Sequence, residues 1–520
     1  MNNQPITQAQ MEALLWAAAD ELRVAMPESQ YASVIFPLMF WKYLSDTWDH
    51  NHATFLEENE GVSGLTEAEA HEIEYRDYQS FEIPSINVGT VAQVRASWSA
   101  ILATVTQPGL GARVRASLQA IETKNPDKFS ALFGAMTWTT EAVLDQAVLA
   151  NTMKAMNRVP AMHEGNMTHD VLGGAYEYLL KRFSDGSGTR AGQFFTPREV
   201  VELIVDILDP KNFESVYDPA CGSGGMLIAS ANRLKALGGR GYTLRLFGQE
   251  SVQDTAGVAR MNLYMHNLAD FKVEVGDTLH NPRFKEGDGT VRKFDLVVAN
   301  PPYSLKWDPW TSDPRAIGGV APRSTADWAF VQHMIASMTS RTGRAGVVLP
   351  HGVLFRGGAE AAIRERVIND DLLEAVIGLP ANLFYGTSIP TCILVFRATG
   401  AKTEERTDKV LFVDASARFV KGRNRNSMSQ TDIDDIVAAY RRGDDPDGVG
   451  GIQVRSVELD EIKANYYDLN IGRYIERAAS EQADLGTLID AYNVARAERQ
   501  RAEQRMLAVL ADAGIEGFDE

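Results

Sequence analysis

The stretch Phe294-Asp295-Leu296-Val297-Val298-Ala299-Asn300-Pro301-Pro302-Tyr303 decides how this chain is read. Leu296 to Ala299 is a short apolar run of the kind that fills a buried parallel strand. Two consecutive prolines then remove two backbone donors, so the chain must break outward. Asn300 and Tyr303 are thereby left at a strand's carboxyl end, where open α/β sheets bind their ligands. Such a loop suits chemistry at an exocyclic amine, whose lone pair is delocalised into its ring. The Asn300 side-chain carbonyl and the Pro301 backbone carbonyl are acceptors that can bond the amino hydrogens and draw the lone pair out. Tyr303 offers a flat face for a base that has left its helix. The plain alternative is a Pro-Pro turn with Tyr303 as packing. An Asx/Ser-Pro-Pro-aromatic run arises by chance only ~0.02 times in a chain this long, which counts against that alternative.

Upstream, Ser215-Val216-Tyr217-Asp218-Pro219-Ala220-Cys221-Gly222-Ser223-Gly224-Gly225-Met226-Leu227 reads as strand, glycine turn and helix. Gly222 and Gly224 let the backbone approach a ligand, and Ser223 to Gly225 present amides at a helix N-terminus. The spacing is neither a dinucleotide fingerprint nor a P-loop. Leu244 to Glu250 and Phe271 to Asp277 read as the next two strands, each ending in an acid. An acid at the tip of the second strand is where a ribose diol is gripped, and Asp277 suits a base's amino group. Before the glycine motif comes Gly192-Gln193-Phe194-Phe195-Thr196-Pro197-Arg198-Glu199. Thr196 reads as an N-cap, Pro197 as the first helical residue and Glu199 as the partner in a capping box, predicting a helix to about Leu208. Phe194 and Phe195 read either as a staple for that helix or as the lining of a pocket.

Downstream, Arg344–Pro350, Leu373–Leu379 and Thr391–Phe396 read as three further strands. No helix-length segment separates the last two, so they should pair antiparallel. Seven strands ending in this pair describe the methyltransferase variant of the doubly wound sheet. Between Tyr303 and about 325 runs a long loop carrying Trp307 and Trp310, read either as structural packing or as a contact to an extruded base.

At 520 residues the chain should hold two or three domains. The expected division is a helical N-terminal domain at 1–160, a catalytic domain at 161–475 and a helical tail at 476–520. In the first, Met11, Leu14, Leu15, Ala18 and Leu22 fall at helical spacing, and the denser apolar patch Val34–Leu44 reads as a helix buried on most sides that Pro37 starts or kinks. Helical patterning also marks Val91–Leu102 and Glu141–Met156. In the tail, Leu485, Leu488, Tyr492, Ala495, Ala502, Met506 and Val509 form a thin apolar stripe that suits a partner helix. No apolar run reaches membrane-span length and no signal-peptide pattern opens the chain, so a soluble cytoplasmic protein is expected. The two cysteines, Cys221 and Cys392, suggest neither a disulfide framework nor a metal site. A formal net charge of −18 is unlike a free-standing DNA binder. The densest basic cluster is Arg418, Lys421, Arg423 and Arg425, read first as a solvated loop and second as a phosphate contact.

The order Gln193–Arg198, Asp218–Gly225, Glu250, Asp277 and Asn300–Tyr303 resembles the amino-methyltransferases. More narrowly, the chain is similar to the modification (methylase) subunits of type I restriction-modification systems, a likeness that spans nearly its whole length. It includes Leu15–Arg23, Gly352–Glu360 and Ile377–Pro380. The resemblance implies a class I S-adenosylmethionine-dependent methyltransferase fold with a helical N-terminal domain and a C-terminal partner-binding helix. It implies S-adenosyl-L-methionine as methyl donor and N6 of a flipped-out adenine in double-stranded DNA as acceptor. The implied partners are a specificity subunit, with two methylase chains to each, and a restriction subunit. By the same resemblance Gln193, Phe194, Phe195, Thr196, Pro197, Arg198, Gly222, Ser223, Gly224, Gly225 and Glu250 would hold the cofactor. Asp218 would support its methionine end and Asp277 its adenine ring. Asn300, Pro301, Pro302 and Tyr303 would form the catalytic loop. Protein or RNA amines as acceptors, a non-catalytic scaffold, and a methylase of another defence system are the competing readings.

Overall fold

The computed structural model describes residues 6–59, 66–88, 91–186, 196–268, 270–384, 388–423, 425–444, 451–475, 492–494, 496–497, 499–502 and 504–506. Gln193, Phe194 and Phe195 lie outside the described residues, as do Leu485, Leu488, Ala495 and Val509 of the apolar stripe. The chain forms two compact units, Met1–Ile471 and Gly472–Glu520. In the second, the described residues from 492 to 506 are helical, with Tyr492 and Met506 exposed.

The first unit is built on a nine-stranded sheet. A separate hairpin, β1 (Ser85–Val88) with β2 (Val91–Arg95), lies in the N-terminal part. The large sheet contains β3 (Ser215–Asp218), β4 (Arg245–Glu250), β5 (Phe271–Val275), β6 (Leu296–Ala299), β7 (Arg344–Pro350) and β8 (Leu373–Gly378). It is completed by β9 (Thr391–Arg397), β10 (Lys409–Asp414) and β11 (Gln453–Glu458). The order is β11-β10-β8-β9-β7-β6-β3-β4-β5. Strands β3 to β7 are parallel to their neighbours in that run, and β9 lies antiparallel between β7 and β8. These seven strands match the expected doubly wound methyltransferase arrangement. The sheet then extends by two further strands beyond those seven. β10 pairs parallel with β8, and β11 closes antiparallel on β10. At the opposite edge, two outward carbonyls of β5 are already bonded: Arg260 donates to Val273 at 2.6 Å and Arg283 to Val275 at 2.9 Å.

In the N-terminal part, Gln8–Asp20 is a helix with a capping box between Thr7 and Gln10. The next long helix, Tyr31–Glu58, runs through Pro37 rather than starting there. The lost hydrogen bond is offset by burial, since every residue from Val34 to Trp41, Pro37 included, is inside. Phe36 stacks on Tyr176 at 4.2 Å. Met261 and Met265, from the helix Gln253–Met265 that packs on β4 and β5, join the same core, so helical and sheet parts share one interior. The expected helix over Val91–Leu102 is only partly there. Val91–Arg95 is strand β2, and the helix begins at Trp98 behind a Ser97 cap. Apolar residues three apart over so short a run fit either element, and pairing with β1 decides it.

Candidate active site

Strand β3 ends in Asp218, which is only 2% exposed. The Ala220 N–H donates to its Oδ1 at 2.9 Å. Burial, with the nearby Glu250 carboxylate acting in the same direction against that hydrogen bond, pushes its pKa up to about 8. No basic group acts on it among the described residues. A buried carboxyl held this way lacks a counter-charge, and a ligand ammonium would supply one. The turn that follows needs its glycines, because Gly222 and Gly224 have φ of 52° and 82°, the left-handed region. Gly222 N donates to Glu250 Oε2 at 3.1 Å, while Val252 N donates to Glu250 Oε1 at 2.9 Å. Asn262, from the helix behind, donates to the Ser223 carbonyl at 2.9 Å and fixes the turn from below. A side chain at Gly225, the first residue of the next helix, would meet nothing within 4 Å among the described residues, so there is room beside that residue.

The loop Asn300–Tyr303 is tied more tightly. The Tyr303 hydroxyl donates to Asn300 Oδ1 at 2.6 Å, and Asn300 Nδ2 donates to Thr196 Oγ1 at 2.9 Å. Burial holds the Tyr303 phenol well above its ordinary pKa, so it acts as a hydrogen-bond donor and not as a base. Phe384 meets the Tyr303 ring edge-on at 6.1 Å. Ser304 takes a left-handed φ of 53° and donates its N–H to Asp327 Oδ1 at 3.0 Å. Asp327 is fully buried and pairs with Arg356 at 2.5 Å, which also pairs with Glu360 at 2.9 Å. The Asp327–Arg356 link of this buttress was not legible as spacing, since the two lie 29 residues apart, although Arg356 and Glu360 are only four apart.

Several site expectations take a different form. Thr196 does not cap the Arg198–Leu208 helix: its N-cap is Pro197, with no side-chain cap. The Thr196 hydroxyl is spent on Asn300, and Glu199 pairs instead with Arg425 at 2.9 Å. Arg198 points outward and pairs with Glu202 at 2.7 Å. Asp277 closes its own turn, accepting from Leu279 N at 2.9 Å and sharing a 2.8 Å contact with His280 Nδ1. Burial alone would raise its pKa, but these hydrogen bonds hold it below the usual value. The loop after Tyr303 is packed in place. Trp307 Nε1 donates to Pro322 O at 3.0 Å and Trp310 Nε1 to Leu279 O at 2.9 Å. Both indole N–H groups are thus held by backbone carbonyls. Arg315 from that loop is buried and donates to the carbonyls of Thr278 and Leu279 and to His333 Nδ1 at 2.9 Å. Burial, then Arg315, pushes His333 down to about 3, so it is neutral. A cavity of about 840 Å³ lies elsewhere, between β5 and the helical part, lined by Phe40, Tyr43, Phe129 and Tyr264 but by none of the motif residues. Among the described residues no cluster of His, Cys, Asp or Glu could hold a metal ion, and both cysteines are buried and free. No helix among them is long and apolar enough to cross a membrane.

The sequence matches the N-6 DNA Methylase family over residues 167–483, the span that contains β3 to β11 and every motif above. The chain belongs to that family. Residues 11–156 match the HsdM N-terminal domain. A type I restriction enzyme methylase subunit (MjaVIII) of Methanocaldococcus jannaschii is 38% identical over 344 residues, covering 63% of this chain and 57% of that protein. For a second subunit of that organism, MjaVII, the match covers 54% of its length, so the aligned part spans little more than half of these two relatives. The MpnII methylase subunit of Mycoplasma pneumoniae is 28% identical over 92% of this chain and 91% of its own. The crystal structure of a type I restriction-modification methyltransferase subunit from Streptococcus thermophilus superposes with a TM-score of 0.77 at 29% identity. It covers 91% of this chain and all (100%) of that one.

Proposed function

We propose that this N-6 DNA methylase is the methylase subunit of a type I restriction-modification complex. It would transfer a methyl group from S-adenosylmethionine to N6 of adenine in double-stranded DNA, protecting host DNA in the cytoplasm. A specificity subunit would read the sequence, two methylase chains would serve each specificity subunit, and a restriction subunit would cut unmodified DNA. The observation that carries this reading is the amide of Asn300, held at the carboxyl end of β6 between the Thr196 and Tyr303 hydroxyls.

The residues fit the implied cofactor. Asp218 is a buried carboxyl in want of a cation, and the open face at Gly225 leaves room beside the helix N-terminus. Asp218 would hold the methionine ammonium, the Ser223–Gly225 amides its neighbourhood, Glu250 the ribose hydroxyls, and Asp277 the adenine end. When bound, the cofactor supplies an electrophilic methyl group. The protein's part is positioning and polarisation. The acceptor base leaves the duplex and stacks on Tyr303. Asn300 Oδ1 and the Pro301 carbonyl then accept from its amino hydrogens, localising the lone pair on nitrogen. For this the Tyr303 hydroxyl gives up its bond to Oδ1, while Thr196 keeps the Asn300 NH₂ turned away so that Oδ1 faces the amine.

The test is transfer of labelled methyl groups from S-adenosylmethionine to DNA, with the chain alone and with its co-expressed specificity chain, in wild type and Asn300→Ala. Label at adenine N6 that needs the partner and is lost in the variant supports the reading. Label in protein or RNA would move the acceptor class, and cofactor binding without transfer to any acceptor would favour a scaffold.

A further inference from the structure

Four basic residues lie between Arg418 and Arg425, and the structure separates them into two roles. Strand β10 runs parallel to β8, so its last residue, Asp414, opens onto the same carboxyl edge as the catalytic loop. Beyond it, Val420 and Ser427 pair back on each other, with N–H···O distances of 2.8 and 3.1 Å, and close a small hairpin. The turn is tight: a Cβ at Gly422 would stand 2.0 Å from the Arg425 carbonyl.

The base of this hairpin is fastened to the elements that touch the catalytic pair. Arg425 Nη1 donates to Glu199 at 2.9 Å, in the helix whose leading Thr196 holds Asn300. Asn426 N donates to Asn382 O at 2.8 Å and Asn426 Nδ2 to Ala381 O at 2.9 Å. Those carbonyls immediately precede Phe384, the ring against Tyr303. Arg418 pairs with Asp432 at 3.1 Å and also with Asp435. Two of the four cations are thus spent on anchoring. Lys421 and Arg423, on either side of Gly422, are exposed at the tip. Beside them Phe419 and Val420 are 40% and 55% exposed, an apolar shoulder next to the charges.

A cationic tip on an anchored base beside the mouth of the site stands out on a chain of net charge −18. We propose that the hairpin from Arg418 to Ser427 is a DNA-backbone contact, resting on the methylase function proposed above. Lys421 and Arg423 sit on phosphates flanking the target adenine, and Phe419 and Val420 lie against the adjoining sugars. Such contacts carry no sequence information. They fix the register of the duplex over the catalytic loop, which a subunit that does not read sequence still requires.

The experiment uses the full chain with its co-expressed specificity chain and the double variant Lys421→Gln/Arg423→Gln. Both side chains are exposed, and a thermal melt checks that the fold is kept. DNA binding is titrated against salt, alongside KM, kcat and cofactor affinity. Losing two phosphate contacts should lower the slope of log affinity against log salt by about 2. The affinity advantage at roughly 50 mM over roughly 200 mM salt should then shrink about tenfold. The KM for DNA should rise while kcat and cofactor affinity stay put. An unchanged slope and KM would overturn the proposal. So would loss of co-purification with the specificity chain at an unchanged slope, because the hairpin would then be a protein contact. If the wild type bound DNA but methylated none, the methylase reading would fall, while the salt slope would still judge the hairpin.

Discussion

The two halves of the site differ in how they rest. Around Asn300 every side-chain polar atom has a partner: Oδ1 accepts from Tyr303 and Nδ2 donates to Thr196. Around Asp218 the carboxyl is buried with one backbone N–H and a neighbouring carboxylate, and its pKa rises to about 8. On the proposed function, Asn300 belongs to an acceptor half that is satisfied and would have to be opened, and Asp218 to a donor half that would have to be filled. A ligand gains most where the protein alone pays a desolvation cost, so the donor half should govern affinity and the acceptor half rate.

The sharpest break in that comparison is Asn300→Ala. It should cut methyl transfer at least about 10²–10³-fold, as loss of a preorganised polar contact does elsewhere. Equilibrium dialysis should show cofactor binding little changed. Asp218→Asn should do the reverse, weakening the cofactor by about 10- to 100-fold, in line with a charge-assisted bond worth roughly 1.5–3 kcal/mol.

The same residue sets a pH signature. Its folded pKa of about 8 lies above the ordinary carboxyl value of 3.8, so between these values the folded chain keeps a proton that the unfolded chain has lost. Stability from this group therefore falls as pH rises through that window and levels off above it. Binding a cation beside it should release a proton below pH 8, visible by calorimetry in buffers of different ionisation enthalpy. Asp218→Asn should abolish both effects.

Thr196→Val keeps the shape and removes the hydroxyl, freeing the Asn300 amide to turn. A fall in kcat of about tenfold with cofactor affinity nearly unchanged is expected if Thr196 positions the amide. A fall in cofactor affinity instead would return Thr196 to the donor half. Tyr303→Phe should have the smallest effect, within about threefold in kcat. The ring remains to stack, and Asn300 Oδ1 is released from a bond worth about 1 kcal/mol.

Much of this was legible before any coordinates. Seven strands announce themselves because fully buried strands are apolar runs that stop at glycine, proline or an acid, and β6 and β7 begin and end where the sequence places them. Asn300, Asp218 and Glu250 were legible as strand-end residues for the same reason. The role of Thr196 was not. A capping box is a local pattern, and a partner 104 residues away outbid it. Residues 430–442 carried an unused signal: Ser429 and Asp432 form a capping box ahead of Ile433, Ile436, Val437 and Tyr440, which are buried. The Asp327–Arg356–Glu360 buttress had no such signal, because nothing in the spacing ties three charges to the amide of Ser304.

The two arginines on the outer carbonyls of β5 also bear on growth and assembly. A strand arriving along Val273–Val275 would have to displace Arg260 and Arg283 before it could bond those carbonyls. An open sheet of nine strands would otherwise offer a template for self-association. Over that stretch the chain covers its own border with cations, and whatever docks there meets two guanidinium groups before it meets a vacant ladder.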